Sequence, residues 1–347
     1  MRPMKQTKTE TAFFRTSKNQ AMAFAILIMG IIGISLSVVV SIRFGAADLS
    51  YRDVLNALVA FEEDNQTHII VRELRLPRAV AAILVGSSLA VSGAIMQGMT
   101  RNPLASPSIM GVTAGSSFLI AIAFALMPGI SYSGLSAFSF IGAGFGAALV
   151  FGLTTLSRGG MTPVKLALAG SAITALLSSL STAIGIKYNI AKDMSYFFAG
   201  GVSAVQPTQV QMLLPFVISG LLLAVILSRS ITVLSLGEEV AKSLGQNTSV
   251  VQLMGTAAVL LLTGAAVSIA GMIGFVGLIV PHITRFLVGT DYRWLIPCSA
   301  VLGGILLIAA DIVGRMVNAP FETPVGAITA LVGVPFFIYL ARKEGRA

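Results

Sequence analysis

Charge is what this 347-residue sequence most lacks: Asp, Glu, Lys and Arg together make up 11% of it, against about 25% in a soluble domain. Between Asn102 and Ser157 there is none at all in 56 consecutive residues. With a mean hydropathy of +0.89, a soluble fold is excluded. Cysteine and histidine are almost absent too. Cys298 stands alone, and the only histidines are His68 and His282, so neither a disulfide nor a His/Cys metal cluster can be assembled. Nothing reads G-x-x-x-x-G-K-[ST], the pattern that cradles nucleotide phosphates. Neither a catalytic residue nor a cofactor is therefore expected, and any energy for work has to come from a partner.

What is present is a series of long apolar runs. A helix crosses the roughly 30 Å hydrocarbon core in about 20 residues, so the 56-residue run, broken by Met127-Pro128-Gly129, predicts two crossings and a turn. Further charge-free runs occupy 21–42, 79–100, 166–186, 194–228, 243–284, 294–310 and 323–341. The fifth splits at Gly271-Met272-Ile273-Gly274, and the aromatic, Gly-rich 194–206 predicts an interfacial stretch ahead of a span at 207–228. The expectation is an all-α polytopic protein of ten spans in one domain over residues 21–343. Residues 1–20 then form an N-terminal tail and 344–347 a C-terminal one.

With ten spans both ends share a side. That side holds 15 of the 23 Lys and Arg and 5 of the 14 acids. Basic loops stay cytoplasmic, so both termini are expected in the cytoplasm. Topology also accounts for the net charge of +9, which calls for no nucleic-acid partner. The run after the tail is too long for a removed signal peptide and lacks a small-residue cleavage site.

Three polar segments stand out. The outer connection 43–78 holds Ser50-Tyr51-Arg52-Asp53, a capping-box pattern before Val54, Leu55, Leu58 and Val59, which predicts a short surface helix. It ends in Arg75-Leu76-Pro77-Arg78, placing two arginines at the outer mouth of the next span, either snorkelling onto Glu73 and headgroups or forming a cationic rim. Asp311 and Arg315, at i and i+4 near the outer end of another span, can form a local salt bridge, and Glu322 lies on the same rim. On the inner side, 229–248 is the longest loop. Glu238 and Lys242 pair at i,i+4, Val240, Ala241 and Leu244 give an apolar side, and Gly245 is a stop signal. A small helix of this kind suits a partner's groove.

The strings RLPR at 75–78, SGAIMQGMTRNPLASPSIMGVTAG at 92–115, LSLGEEVAKSLG at 234–245, GFVGLIVPHITRF at 274–286, ADIVGR at 310–315 and ETPVGAITALVGVPFFIYL at 322–340 resemble the FecCD family of bacterial ABC-importer permeases. The likeness runs in order over residues 21–343. It implies a ten-helix type II importer permease in the bacterial plasma membrane, paired with a second permease subunit, either a copy of itself or a paralogue. A cytoplasmic ATPase dimer would sit below it and an extracytoplasmic substrate-binding protein above.

By resemblance, Arg75, Arg78 and Arg315, with Glu322 beside them, belong to the docking face for the binding protein, and charge reversal at Arg75 and Arg78 should cost docking alone. Gly237, Glu238, Glu239, Lys242, Leu244 and Gly245 belong to the ATPase-coupling loop. Asn102 and the segment Thr162, Pro163, Val164 and Lys165 match an inner gate, although Pro163 and Val164 stand where small hydroxyl residues are usual. The family's commonest cargo is a ferric siderophore. Cobalamin and haem are the alternatives, and an ion-gradient-driven carrier is a more distant one.

Overall fold

The computed structural model describes residues 7–44, 49–156, 163–199, 201–318 and 321–344, which are helical almost throughout with no strand among them. The first third comprises α1 (Thr7–Arg43), α2 (Tyr51–Val59), α3 (Gln66–Ile69), a π-helical turn (Ile70–Arg75) and α4 (Leu76–Thr100). A 3-10 turn (Pro107–Met110) then leads into α5 (Val112–Leu126), α6 (Tyr132–Leu156), α7 (Pro163–Lys187) and α8 (Ala191–Ala199). The remainder is α9 (Pro207–Ser235), α10 (Glu238–Ser243), α11 (Thr248–Ala270), α12 (Val276–Val288), α13 (Tyr292–Met316) and α14 (Val325–Glu344).

Among the described residues, seven helices are long and apolar enough to cross a membrane: 19–43 within α1, the continuous 66–100, α6, 164–187, α9, α11 and α13. Of the other three expected spans, two fall on shorter apolar helices, Val112–Leu126 and Val276–Val288, and the third on α14, which is apolar over Val325–Tyr339 and 20 residues long in all. Local chemistry shortens the first two. Pro103 and Pro107 keep 102–106 out of helix, so the uncharged run starts as an irregular segment and becomes α5 only at Val112. Helix α12 is bounded by Phe275, whose φ of 68° is left-handed, and by Gly289 at 87°. The breaks expected at 127–129 and 271–274 are both present. Three boundaries differ. Helix α1 starts at Thr7, inside the expected tail, helix is continuous from Gln66 into α4, inside the expected connection 43–78, and α9 runs past Arg229 to Ser235.

Helix α4 forms the centre of the bundle and packs against α9, α11, α12 and α13. Every residue from Val85 to Gly98 is buried. Small side chains make this possible, because helices in lipid associate through close packing rather than expulsion of water. A Cβ on Gly86 would strike the carbonyl oxygen of Gly303 on α13, and one on Gly93 that of Gly277 on α12. Gly115 of α5 meets Gly142 and Gly146 of α6 in the same way, whereas Gly144 faces open space and takes no part. Gly93→Val is therefore expected to separate α4 from α12 at a cost at or above the roughly 1–3 kcal/mol typical of overpacking. Thermal unfolding in detergent would check this, and a wild-type melting point would refute the close contact.

Helix α1 lies at the edge against α13 and leaves Phe24, Ile28, Ile31 and Leu36 exposed. In a bilayer that face meets lipid. The ends of the bundle are chemically distinct. Ser41 to Phe44, Arg75, Arg78, Asp311, Arg315 and Glu322 gather at one. Arg101, α10, Arg285 and Asp291 gather at the other.

Candidate functional site: an ionic cluster, an uncharged groove and a surface helix

Asp311 is fully buried near the end of α13, and two arginines neutralise it. Arg78 donates Nε to its Oδ1 and Oδ2 at 3.0 and 3.2 Å and Nη2 to Oδ1 at 2.8 Å, while its Nη1 reaches Glu322 Oε1 at 2.7 Å. Arg315 holds the other side of Asp311 at 3.0 Å and donates to the Ser41 and Phe44 carbonyls and the Ser41 hydroxyl. Arg75, also buried, donates Nη1 to the carbonyls of Ile42 and Arg43 at 2.6 and 2.9 Å. The last carbonyls of a helix have no intrahelical partner and carry the negative end of its dipole. Two arginines thus cap α1, and one carboxylate ties α4 to α13.

The four predicted docking residues are therefore brought together, but as an internally paired cluster and not as a bare rim. Glu73 partners neither of the RLPR arginines in these bonds; Asp311, Glu322 and the end of α1 do. Only Glu322, with its side chain 45% exposed against 12% for Arg78, opens the cluster to solvent. Charge reversal at Arg75 and Arg78 would consequently disturb the fold as well as any docking, since both are bonded inside it.

Midway along the bundle lies a groove that the sequence did not point to. Two adjoining cavities of about 360 and 530 Å³ share Ser117, Ser178 and Met272. Hydroxyls line the first at Ser106, Ser108, Thr113, Thr174 and Thr263, and the second at Ser181, Thr182 and Ser195. No described residue lining either is charged. Helix α7 explains the arrangement. It buries one stripe, Leu166, Gly170, Ile173, Leu177, Ser181 and Gly185, and exposes a second that carries Ser171, Ser178 and Thr182. Several of these hydroxyls donate to their own helix, Ser171 to Leu168 O, Ser181 to Leu177 O and Thr182 to Ser178 O, which satisfies them away from water. Hydroxyls at helical spacing in a charge-free span were the available signal.

The groove wall beside Gly277 is held by a substitute hydrogen bond. Pro281 inside α12 has no N–H to give to the carbonyl four residues back. Buried Gln97 on α4 supplies it, donating Nε2 to Gly277 O at 3.3 Å and Leu278 O at 3.4 Å, while its Oε1 accepts from Arg285 Nη2 at 3.0 Å. Gln97→Leu orphans these groups and is expected to cost about 1–3 kcal/mol. Thermal unfolding of the purified variant checks it, and an unchanged midpoint would argue that the amide is dispensable.

At the opposite end from the ionic cluster, α10 stands between two glycines. Gly237 precedes it at φ 133°. At its close the Gly245 N–H donates to Lys242 O and the Gln246 N–H to Ala241 O, the paired bonds of a Schellman stop. Ala241 faces inward, Gln246 Nε2 fastens the turn to Ser230 O, and Lys242 pairs with Glu238 at 2.8 Å. The hydrogen bond from Lys242 holds the Glu238 carboxyl below its ordinary range. Both partners are well exposed, so the pair adds little stability. Glu239 points outward. So do Leu236, Val240 and Leu244, exposed by 67%, 43% and 67%.

Asn102 turns its Oδ1 back to the Leu104 N–H and so shapes its own loop. Thr162 lies outside the described residues, Pro163 opens α7, Val164 is exposed and Lys165 is half-buried.

Comparison with known proteins agrees with this architecture. Over 324 residues the chain is 59% identical to the iron(3+)-hydroxamate import system permease protein FhuB of Bacillus subtilis, spanning 93% of this chain and 84% of that one. It is 47% identical to the iron-uptake system permease protein FeuB of the same organism, spanning 92% and 96%. Among solved structures, a metal-chelate type ABC transporter in an inward-facing conformation superposes with a TM-score of 0.81 at 29% identity, covering 92% of this chain and 99% of that chain. The model of the FecCD transport family matches residues 23–343. Seven apolar membrane-length helices among the described residues and a match over nearly the whole length make this multi-pass membrane protein a member of the FecCD transport family, a transport component and not an enzyme.

Proposed function

We propose that this chain is the permease subunit of an ATP-driven importer that carries a ferric siderophore of the hydroxamate class across the bacterial plasma membrane, with both termini in the cytoplasm. The observation that carries the reading is the groove, which is lined by hydroxyls and lacks charge. Such a wall offers no counter-ion, so an anionic complex entering it loses solvation without compensation. A neutral ferric hydroxamate crosses at less cost, and the 59% identity to an iron-hydroxamate permease points the same way. The groove opens on an incompletely buried α7, which suits a path closed by a second permease subunit, either a copy or a paralogue.

An extracytoplasmic binding protein docks at the ionic end, where its carboxylates exchange with Glu322 for Arg78 and so set orientation and encounter rate more than affinity. A cytoplasmic ATPase pair receives Leu236, Val240 and Leu244 of the 237–245 loop. Nucleotide-driven closure moves α10 as a lever and exchanges an outward opening of the groove for an inward one. The gate at Asn102 and 162–165 belongs to the same cycle. Uptake of radiolabelled iron by a deletion strain tests the cargo. Loss of ferric hydroxamate uptake with ferric citrate, haem and cobalamin uptake intact is expected. Loss of cobalamin or haem uptake alone would keep the machine and replace its cargo.

A further inference from the structure

Helix α2 lies beside the ionic cluster and has an apolar face that the protein covers only in part. Its N-cap is Ser50, closed by a capping box with Asp53, so it forms a defined helix. At 100° per residue, Ala57 and Val54 occupy one flank of the apolar sector and are buried against Ile42, Leu49 and Val71. The rest of that sector is Leu58, Tyr51, Leu55 and Val59, all exposed, with Val59 86% exposed. Arg52 and Asn56 follow on the polar side.

Three arginines accompany this face. Arg52 sits on the helix, Arg43 stacks on the Tyr51 ring at 4.1 Å, and Arg72 stacks on Phe61 at 4.5 Å. The acidic Glu62, Glu63 and Asp64 come after the helix, in its connection to α3. At its start α2 adjoins the end of α1, whose outer surface at Leu36, Val39 and Phe44 is likewise uncovered. Apolar surface therefore continues from a membrane-spanning helix onto a short amphipathic one edged by cations, as expected of a helix lying in a headgroup layer.

We infer that α2 is a lipid-interface anchor: Tyr51, Leu55, Leu58 and Val59 enter the acyl boundary while Arg43, Arg52 and Arg72 meet lipid phosphates. The ionic cluster, which ties the end of α1 to α4 and α13, is thereby held at a fixed depth. Cys298 is the one cysteine and is buried, so cysteines introduced on α2 can be labelled selectively. The full chain carrying Val59→Cys, Leu58→Cys or Asn56→Cys with an environment-sensitive fluorophore is placed in vesicles of phosphatidylglycerol and phosphatidylethanolamine. Quenching by a lipid-tethered nitroxide should be several-fold stronger at positions 58 and 59 than at 56, and quenching by aqueous iodide several-fold weaker. Equal iodide quenching at all three positions would overturn the inference. Iodide protection at 58 and 59 that arises only when a soluble binding protein is added would also overturn it, by making the face a protein dock.

Discussion

Replacing Asp311 by alanine is expected to destabilise the protein by about 3–5 kcal/mol, the usual consequence of removing one partner from a buried ion pair. The loss is large because two guanidinium groups depend on that one carboxylate. Arg78 uses three of its hydrogen bonds on it, and Arg315, itself capping α1, leans on the other oxygen. Without Asp311, like charges face each other in a site from which water is largely excluded. The check is the yield and thermal midpoint of the detergent-purified variant beside Glu322→Gln. The latter removes only the exposed member of the cluster and should cost under about 1 kcal/mol. Equal midpoints for the two variants would show that the cluster is not the clasp described here.

The second large effect is expected from α10. Val240→Asp with Leu244→Asp should abolish cargo-stimulated ATP hydrolysis in a reconstituted complex while leaving the permease folded. Both side chains are exposed, so nothing in the bundle is lost, while burying each against the proposed ATPase partner would be worth about 1.5–3 kcal/mol. Glu238 is the weaker target, because its carboxylate is already engaged by Lys242. Retention of wild-type stimulated hydrolysis by the double variant would show that α10 is solvated surface with no coupling role.

Much of the architecture was legible because the bilayer leaves a chain few options. A run of about 20 residues without charge has to hydrogen-bond its own backbone, and a helix does so within the segment. Local chemistry announced the interruptions as well: Ser50 with Asp53 opens α2, Gly245 closes α10, and Gly271 to Gly274 divides α11 from α12. Boundaries were harder. Arg229 did not end α9, since a long cationic side chain near a membrane surface can reach water from within a helix. Two of the ten expected crossings, α5 and α12, became short helices because prolines and left-handed residues consumed part of each run.

The site was less legible for a different reason. Spacing along the chain brought out Arg75, Arg78, Asp311, Arg315 and Glu322 as chemistry-bearing residues, but it cannot tell that Arg78 will meet a carboxylate 233 positions away. They were therefore expected on an open rim, whereas they bond to one another and to the end of α1. Gln97 was invisible for the same reason, as its role exists only because Pro281 leaves the Gly277 carbonyl unserved on a neighbouring helix. The hydroxyl groove had a local signal, the Ser and Thr residues of α7, but in lipid such residues also serve ordinary helix packing. Only their exposure separates the two uses.

The central claim is that this chain forms an uncharged path for a ferric hydroxamate, driven by a partner's ATP hydrolysis. Its most direct test is transport in sealed liposomes containing this chain, its permease partner and the ATPase pair, supplied with loaded binding protein and radiolabelled iron. Accumulation of ferric hydroxamate that requires ATP hydrolysis and persists without any ion gradient is the predicted result. Accumulation driven by an ion gradient in the absence of ATP would contradict the account.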